Sequence, residues 1–395
     1  MPTSMSPDPH VEAALPARWD IFCAVIDNYG DIGVCWRLAR QLVAEHGFVV
    51  RLWVDDPASF IRLCPQADPL ADQQTICGVQ VRHWQPTFDA GVEPVEVVVE
   101  AFACELPASY LVAMAGRPRR PVWINLEYLS AEAWVEDCHL MASPHPRLPL
   151  VKHFYFPGFT SRTGGLLRES DLFGRRDAFV ASPTARDAFW RSVGFAPASA
   201  DAVCVSLFAY RHADVRGLLQ AFVGCGVAIV CAIPDGPLLD DAAAFLGCDK
   251  LQPGDQAAVG SLLVRVLPFV AQPEYDQLLW VSDVNFVRGE DSFVRAQWSA
   301  RPLFWHVYPQ AEAVHLGKLD AFLVRYCEGL DDEASGAIER LAHAWNAGEA
   351  LDAAWAGVLT NLPAVRCHAA AWAGQLGAQT DLASRLAEFA LNRLE

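Results

Sequence analysis

The sequence predicts an α/β protein of two Rossmann-like domains that face each other across a cleft, and three observations predict it. The chain has 395 residues, too many for one ordinary hydrophobic core and suited to two domains of comparable size. Hydrophobic residues make up 53% of it and charged residues 19%, which supplies two buried cores and excludes large-scale disorder. Short apolar runs alternate with amphipathic ones, and the alternation occurs twice, the pattern of parallel strands whose connecting helices cover both faces of a sheet.

In the first series, residues 21–26 read as a buried strand and 32–45 as a helix with Val34, Leu38, Leu42 and Val43 on its apolar stripe. Strands follow at 48–54, 95–101 and 122–126, and Pro-rich connections around Pro86, Pro107 and 143–149 predict long loops. Residues 157–176, with Gly158, Gly164, Gly165 and Gly174, read as the passage between domains. The second series places strands at 202–209, 227–233, 262–268, 283–287 and 302–306, and helices ending near Val223 and spanning 274–281 and 291–299. From Lys318 onward the chain is helical and rich in Ala and Leu. The division expected is a disordered tail 1–18, a first domain 19–165 and a second domain 166–377, with a final helix at about 378–395 packing back on the first.

A net charge of -17 argues against a nucleic-acid partner, which demands a basic surface, and against an anionic membrane surface. A phosphate ligand is still compatible with it, because a helix terminus and one arginine hold phosphates inside an acidic protein. The 12 cysteines form no CxxC pair and read as buried, reduced thiols of a cytoplasmic protein, with no zinc or other metal site. Residues 1–18 lack the basic start and apolar core of a signal peptide. The apolar run 218–233 is broken by Gly224-Cys225-Gly226, so it reads as a helix end and a strand rather than a membrane span of roughly 20 residues.

Two constellations carry the chemistry. The first is Asp27-Asn28-Tyr29-Gly30-Asp31-Ile32-Gly33, at the junction of the first strand and helix, where open α/β sheets place functional groups. It lacks the GxGxxG of a dinucleotide site. Its two carboxylates, four residues apart, suit a general base and a group that orients a polar or cationic substrate. The plainer roles are a helix cap for Asp31 and a loop-organising role for Asp27.

The second constellation is Arg288-Gly289-Glu290-Asp291-Ser292, between a strand and a helix. Gly289 permits a tight turn, and the amides of Asp291, Ser292 and Phe293 would open toward a diphosphate, joined by Arg288 and the Ser292 hydroxyl. Helix capping by Glu290, Asp291 and Ser292 is compatible with that use. Phe208, Tyr210, Phe269, Gln272 and Tyr308 fall near strand ends of the same domain, a set suited to sandwiching a nucleobase. Tyr29 and Gly30 are counted with this binding set; His139, His153 and His306 read as structural.

These two strings resemble the bacterial elongation factor P arginine rhamnosyltransferases, the EarP family. The likeness lies in residues 19–42, WDIFCAVIDNYGDIGVCWRLARQL, and 285–310, NFVRGEDSFVRAQWSARPLFWHVYPQ. Weaker similarity runs through Asn125-Leu126-Glu127-Tyr128 and 154–165. The resemblance implies a GT-B fold and inverting, metal-independent transfer of rhamnose from dTDP-β-L-rhamnose to an arginine of elongation factor P, with no cofactor. It implies catalytic roles for Asp27, Asp31 and Glu290, and donor contacts at Phe208, Tyr210, Gln272, Arg288, Asp291, Ser292 and Tyr308. The alternatives are a GT-B transferase acting on a saccharide or lipid, and a non-catalytic nucleotide-sugar-binding protein.

Overall fold

The computed structural model describes residues 17–26, 29–309 and 314–394. Most of the expected tail, together with Asp27 and Asn28, lies outside the described residues. The first domain has strands β1 (Arg18–Cys23), β2 (Val49–Val54), β3 (Gln73–Ile76), β4 (Val79–His83), β5 (Val97–Ala101), β6 (Val122–Leu126), β7 (Ala142–Pro144) and β8 (Val151–Tyr155). Its helices are α1 (Gly30–His46), α2 (Pro57–Leu63), α3 (Ala108–Gly116) and α4 (Val135–Cys138). The strands form one sheet in the order β3-β4-β2-β1-β5-β6-β8-β7.

After α5 (Leu172–Ala181) and α6 (Pro183–Ser192) comes the second sheet. Its strands are β9 (Val203–Leu207), β10 (Ile229–Pro234), β11 (Gln256–Val259), β12 (Leu262–Leu267), β13 (Val284–Arg288) and β14 (Leu303–His306). Their order is β11-β12-β10-β9-β13-β14. Between them lie α7 (Val215–Gly224), α8 (Leu239–Leu246), α9 (Gln272–Val281) and α10 (Asp291–Trp298). The chain ends in α11 (Val314–Tyr326), α12 (Asp332–Ala347), α13 (Leu351–Thr360), α14 (Leu362–Gly377) and α15 (Leu382–Leu394).

Both sheets are doubly wound. The strand order reverses between β1 and β5 in the first and between β9 and β13 in the second, so a crevice opens beyond the carboxyl ends of those strands. The expectation of purely parallel sheets is corrected at three edges, where β3, β7 and β11 run antiparallel to their neighbours. The β3–β4 hairpin turns through Cys77 and Gly78, both at positive φ, the geometry that matches strand twist.

The first strand was expected at 21–26 but occupies Arg18–Cys23. Its ladder stops because the Val25 amide donates instead to the Asp55 carboxylate, at 2.9 Å, which turns Val25 and Ile26 out of the sheet. The expected loop 143–149 begins inside β7, and the expected passage 157–176 runs into α5. The apolar run 218–233 is the end of α7 and most of β10; no helix among the described residues is long and apolar enough to cross a membrane. Cys77 and Cys367 are exposed, unlike most of the other cysteines.

Side-chain alternation along β1 builds two cores. Trp19, Ile21 and Cys23 face the layer formed by α1 and α15, and Phe22 joins the opposite face over Trp53, Tyr110 and Trp123. Asp20 also faces that opposite layer and is fully buried, with Arg51 at 2.5 Å and the Trp53 indole N–H at 3.1 Å as donors. Although last in the chain, α15 buries Leu382, Ala383, Leu386, Ala387 and Ala390 in the first domain's core, while α14 packs with the second. Leu386→Ala is therefore expected to destabilise the first domain by about 2–5 kcal/mol. Urea denaturation checks this, with hydrogen exchange in β1 and β6 accelerating before that in β9 and β10.

Candidate active site

Asp31 stands in the first turn of α1, one residue inside the helix, and Tyr29 holds the cap position. Its carboxylate, 1% exposed, accepts the Ile26 amide proton at 2.8 Å. That bond ties Ile26 to the first turn of α1, whose cap position belongs to Tyr29. Facing it, the second domain presents the turn after β13. Gly289 takes φ +62°, in the left-handed region that glycine enters without strain, and its carbonyl accepts the Trp305 indole N–H at 3.2 Å. Glu290 follows at the cap position of α10.

Asp31 and Glu290 line one cleft of about 910 Å³, open to solvent, together with Lys318, Tyr128, Leu129 and Tyr210. An adjoining cleft of about 650 Å³ shares Gly30 and Gly289 with it. This second cleft is lined by Tyr29, Phe208, Phe269, Gln272, Arg288, Asp291 and Ser292. Every candidate residue within the described part of the chain thus lies on one of two connected spaces, with Tyr308 on the first. Asp27 lies outside the described residues.

The wall between the two clefts is built from cation and ring contacts, with Phe208 and Arg288 on the second and Tyr210 and Tyr308 on the first. The Arg288 guanidinium lies 4.6 Å from the Phe208 ring centre and 4.7 Å from that of Tyr210, and the Tyr308 ring meets Tyr210 edge-on at 5.2 Å. The Tyr210 amide donates to His306 Nδ1 at 3.2 Å. Burial, followed by His212 and Arg288, lowers the His306 pKa to about 3, so the ring stays neutral and keeps Nδ1 as an acceptor. At the mouth, Tyr29 of the first domain packs on Phe269 of the second, with ring centres 5.1 Å apart.

Three of the expected donor contacts are engaged with the protein itself. Asp291 accepts from Arg37 Nε at 2.8 Å and from the Gln272 amide at 3.2 Å. The Gln272 side chain also donates to the Gly33 carbonyl at 3.0 Å and accepts from Arg40 at 3.0 Å. The Ser292 hydroxyl bonds back to the Arg288 backbone. Sequence reasoning missed Lys318, which lies in an Ala- and Leu-rich helical stretch without any local signal, and Arg37, concealed in an ordinary amphipathic pattern.

Burial pushes the Glu290 carboxyl up to about 8; the Leu129 backbone N–H opposes this, the nearby Asp31 raises it and Lys318 lowers it. Among the described residues no cluster of His, Cys, Asp and Glu is arranged to hold a metal ion. A carboxyl raised from its ordinary 4.5 to about 8 keeps in the folded protein a proton that the unfolded chain loses. Its contribution to stability is full below pH 4.5 and is lost as pH rises through 8. Glu290→Gln is expected to flatten that part of the decline in unfolding midpoint across this window, measured by denaturation at a series of pH values.

Comparison with known proteins follows the same lines. Residues 19–391 match the family described as Elongation-Factor P (EF-P) rhamnosyltransferase EarP. The chain is 50% identical over 380 residues to the protein-arginine rhamnosyltransferase of Pseudomonas putida, covering 96% of this chain and all of that one. It is 49% identical over 373 residues to the protein of the same description from Pseudomonas aeruginosa, covering 94% of this chain and 98% of the other. A solved structure described as the structural basis for EarP-mediated arginine glycosylation of translation elongation factor EF-P superposes with a TM-score of 0.69 at 38% identity, over 95% of this chain and 99% of that one. The kitacinnamycin glycosyltransferase, at 12% identity and a TM-score of 0.54 over 96% and 100% of the two chains, shares the fold.

Proposed function

Because the chain belongs to the elongation-factor P rhamnosyltransferase family, a family of GT-B glycosyltransferases, we propose that it transfers L-rhamnose from dTDP-β-L-rhamnose to an arginine side chain of elongation factor P. The observation that carries the chemistry is the meeting of Asp31 and Glu290, from opposite domains, on one cleft that adjoins the cleft of Arg288 and the α10 N-terminus. A free guanidinium has a pKa of about 12.5–13.8 and delocalised lone pairs, so it is a weak nucleophile. A carboxylate fork that binds it and removes one proton answers both difficulties.

In the proposed step the arginine nitrogen attacks the anomeric carbon from the face opposite the diphosphate. The C–N bond forms as the C–O bond to phosphate breaks, which inverts the β-linked donor to an α-linked product. Asp31 receives the proton, and Asp27 is assigned to orient the guanidinium. Glu290 stands on the same cleft, placed to accept from the guanidinium or to face the positive charge developing on the sugar. Burial raises its carboxyl toward the protonated form, and an arriving cation favours its ionisation. Arg288 and the first amides of α10 supply the positive potential that receives the leaving diphosphate; no metal is assigned to this task. Phe208, Tyr210, Phe269 and Tyr308 are assigned to the nucleoside. A net charge of -17 suits a protein acceptor rather than nucleic acid, and a translation-factor substrate suits a cytoplasmic reaction.

Incubation with the donor and elongation factor P is expected to add one deoxyhexose to one arginine, read by mass spectrometry of the acceptor. Free saccharides in its place are expected to gain nothing. Asp31→Asn is expected to abolish transfer while dTDP binding stays within about threefold of wild type; transfer by that variant overturns the assignment of the base.

A further inference from the structure

Gly33, Arg37 and Arg40 follow one another on a single face of α1 at helical spacing, and that face meets the second domain. Arg37 is 2% exposed, and its guanidinium is directed at the second domain and the segment leading to it. Nε donates to Asp291 at 2.8 Å, Nη2 to Asp276 at 3.1 Å and Nη1 to Asp276 at 3.3 Å, with Glu169 at 3.5 Å. Asp276, 1% exposed, is shared with Arg295, also 1% exposed, which grips it in a fork at 2.9 and 2.7 Å. Burial opposes ionisation of Glu169, but Arg295 and Arg37 outweigh it and hold its pKa well below the usual carboxylate range. A Cβ on Gly33 would stand 3.2 Å from the Asp291 Cβ, so the helices touch where Asp291 begins α10.

Less than two turns of helix separate Arg37 from Asp31, and one peptide bond separates Asp291 from Glu290. Whatever fixes Arg37 against Asp291 therefore fixes the distance between the two carboxylates of the cleft. We propose that Arg37 is a positioning residue for sugar transfer: its bond to Asp291 sets the register of the acceptor-domain carboxylate Asp31 against the donor-domain turn that carries Glu290. Asp291 then acts as the anchor of that turn.

The inference rests on the proposed rhamnosyl transfer, and its test keeps the two apart. Arg37→Gln, Arg37→Lys and Gly33→Ala are assayed beside wild type with dTDP-β-L-rhamnose and elongation factor P, and dTDP affinity is measured separately by calorimetry. Gly33→Ala removes no charge and suits a helix interior, yet it forces Asp291 away from α1, so it carries the test where Arg37→Gln does not fold. The expected result is a kcat lowered about tenfold or more by Gly33→Ala and by folded Arg37→Gln, with dTDP affinity and acceptor KM within about threefold of wild type. Arg37→Lys, which keeps the charge without the planar fork, is expected to restore part of the loss. A kcat within about twofold of wild type in the folded variants overturns the proposal, and so does a loss accounted for by weaker dTDP binding. Absence of transfer by wild type strikes the proposed function instead.

Discussion

Arg37 and Arg295 are almost wholly removed from water, and Asp276 stands between them with no more exposure than they have. Isolated, any of these charges would be costly to bury. Together with Glu169 and Asp291 they form a network in which each cation has several acceptors and each carboxylate at least one arginine. Such a network adds little stability over well-packed apolar groups, but removing Arg37 leaves Asp291 without its arginine, at about 3–5 kcal/mol. Its value lies in geometry. A hydrophobic junction between the domains would tolerate sliding, whereas paired forks accept one arrangement.

The clefts sit where they do because both sheets reverse strand order next to the loops that matter. In the first sheet the reversal exposes the loop leading to Asp31; in the second it exposes the turn from Arg288 to Asp291. The electrostatics then divide between the domains. Asp31 and Glu290 gather negative or latent negative charge on one space, while Arg288 and a helix N-terminus gather positive potential on the other. A strongly acidic chain thereby holds one pocket suited to an anion beside one suited to a cation. The aromatic wall between the two is fixed in turn by a neutral histidine, since only an unprotonated His306 accepts from the Tyr210 amide.

Much of this was legible before any coordinates. The strand of residues 122–126 and the helix starting at Asp291 are where periodicity and glycine placement put them, because those signals are local and the side chains involved face one consistent environment. The edge strands β3, β7 and β11 were not legible. Each is short and only partly buried, so none carries the continuous apolar run that marked the central strands. The end of β1 was misjudged for a related reason. Val25 and Ile26 extend the apolar run, and the hydrogen bonds of their amides to Asp55 and Asp31 take them out of the sheet.

The sequence by itself determined the order and type of the main elements and the two loops that carry reactive groups, since apolar period, glycine and the helix-start residues act over a few neighbours. The tertiary structure alone decided that Asp31 and Glu290 share a cleft, that burial raises the Glu290 carboxyl, and that Asp291 faces Arg37. Those outcomes depend on distance and desolvation between segments far apart in the chain. The same separation bears on α15: the final helix was expected to pack back on the first domain, and which of its side chains enter that domain's core is set by the return of the chain across the whole molecule.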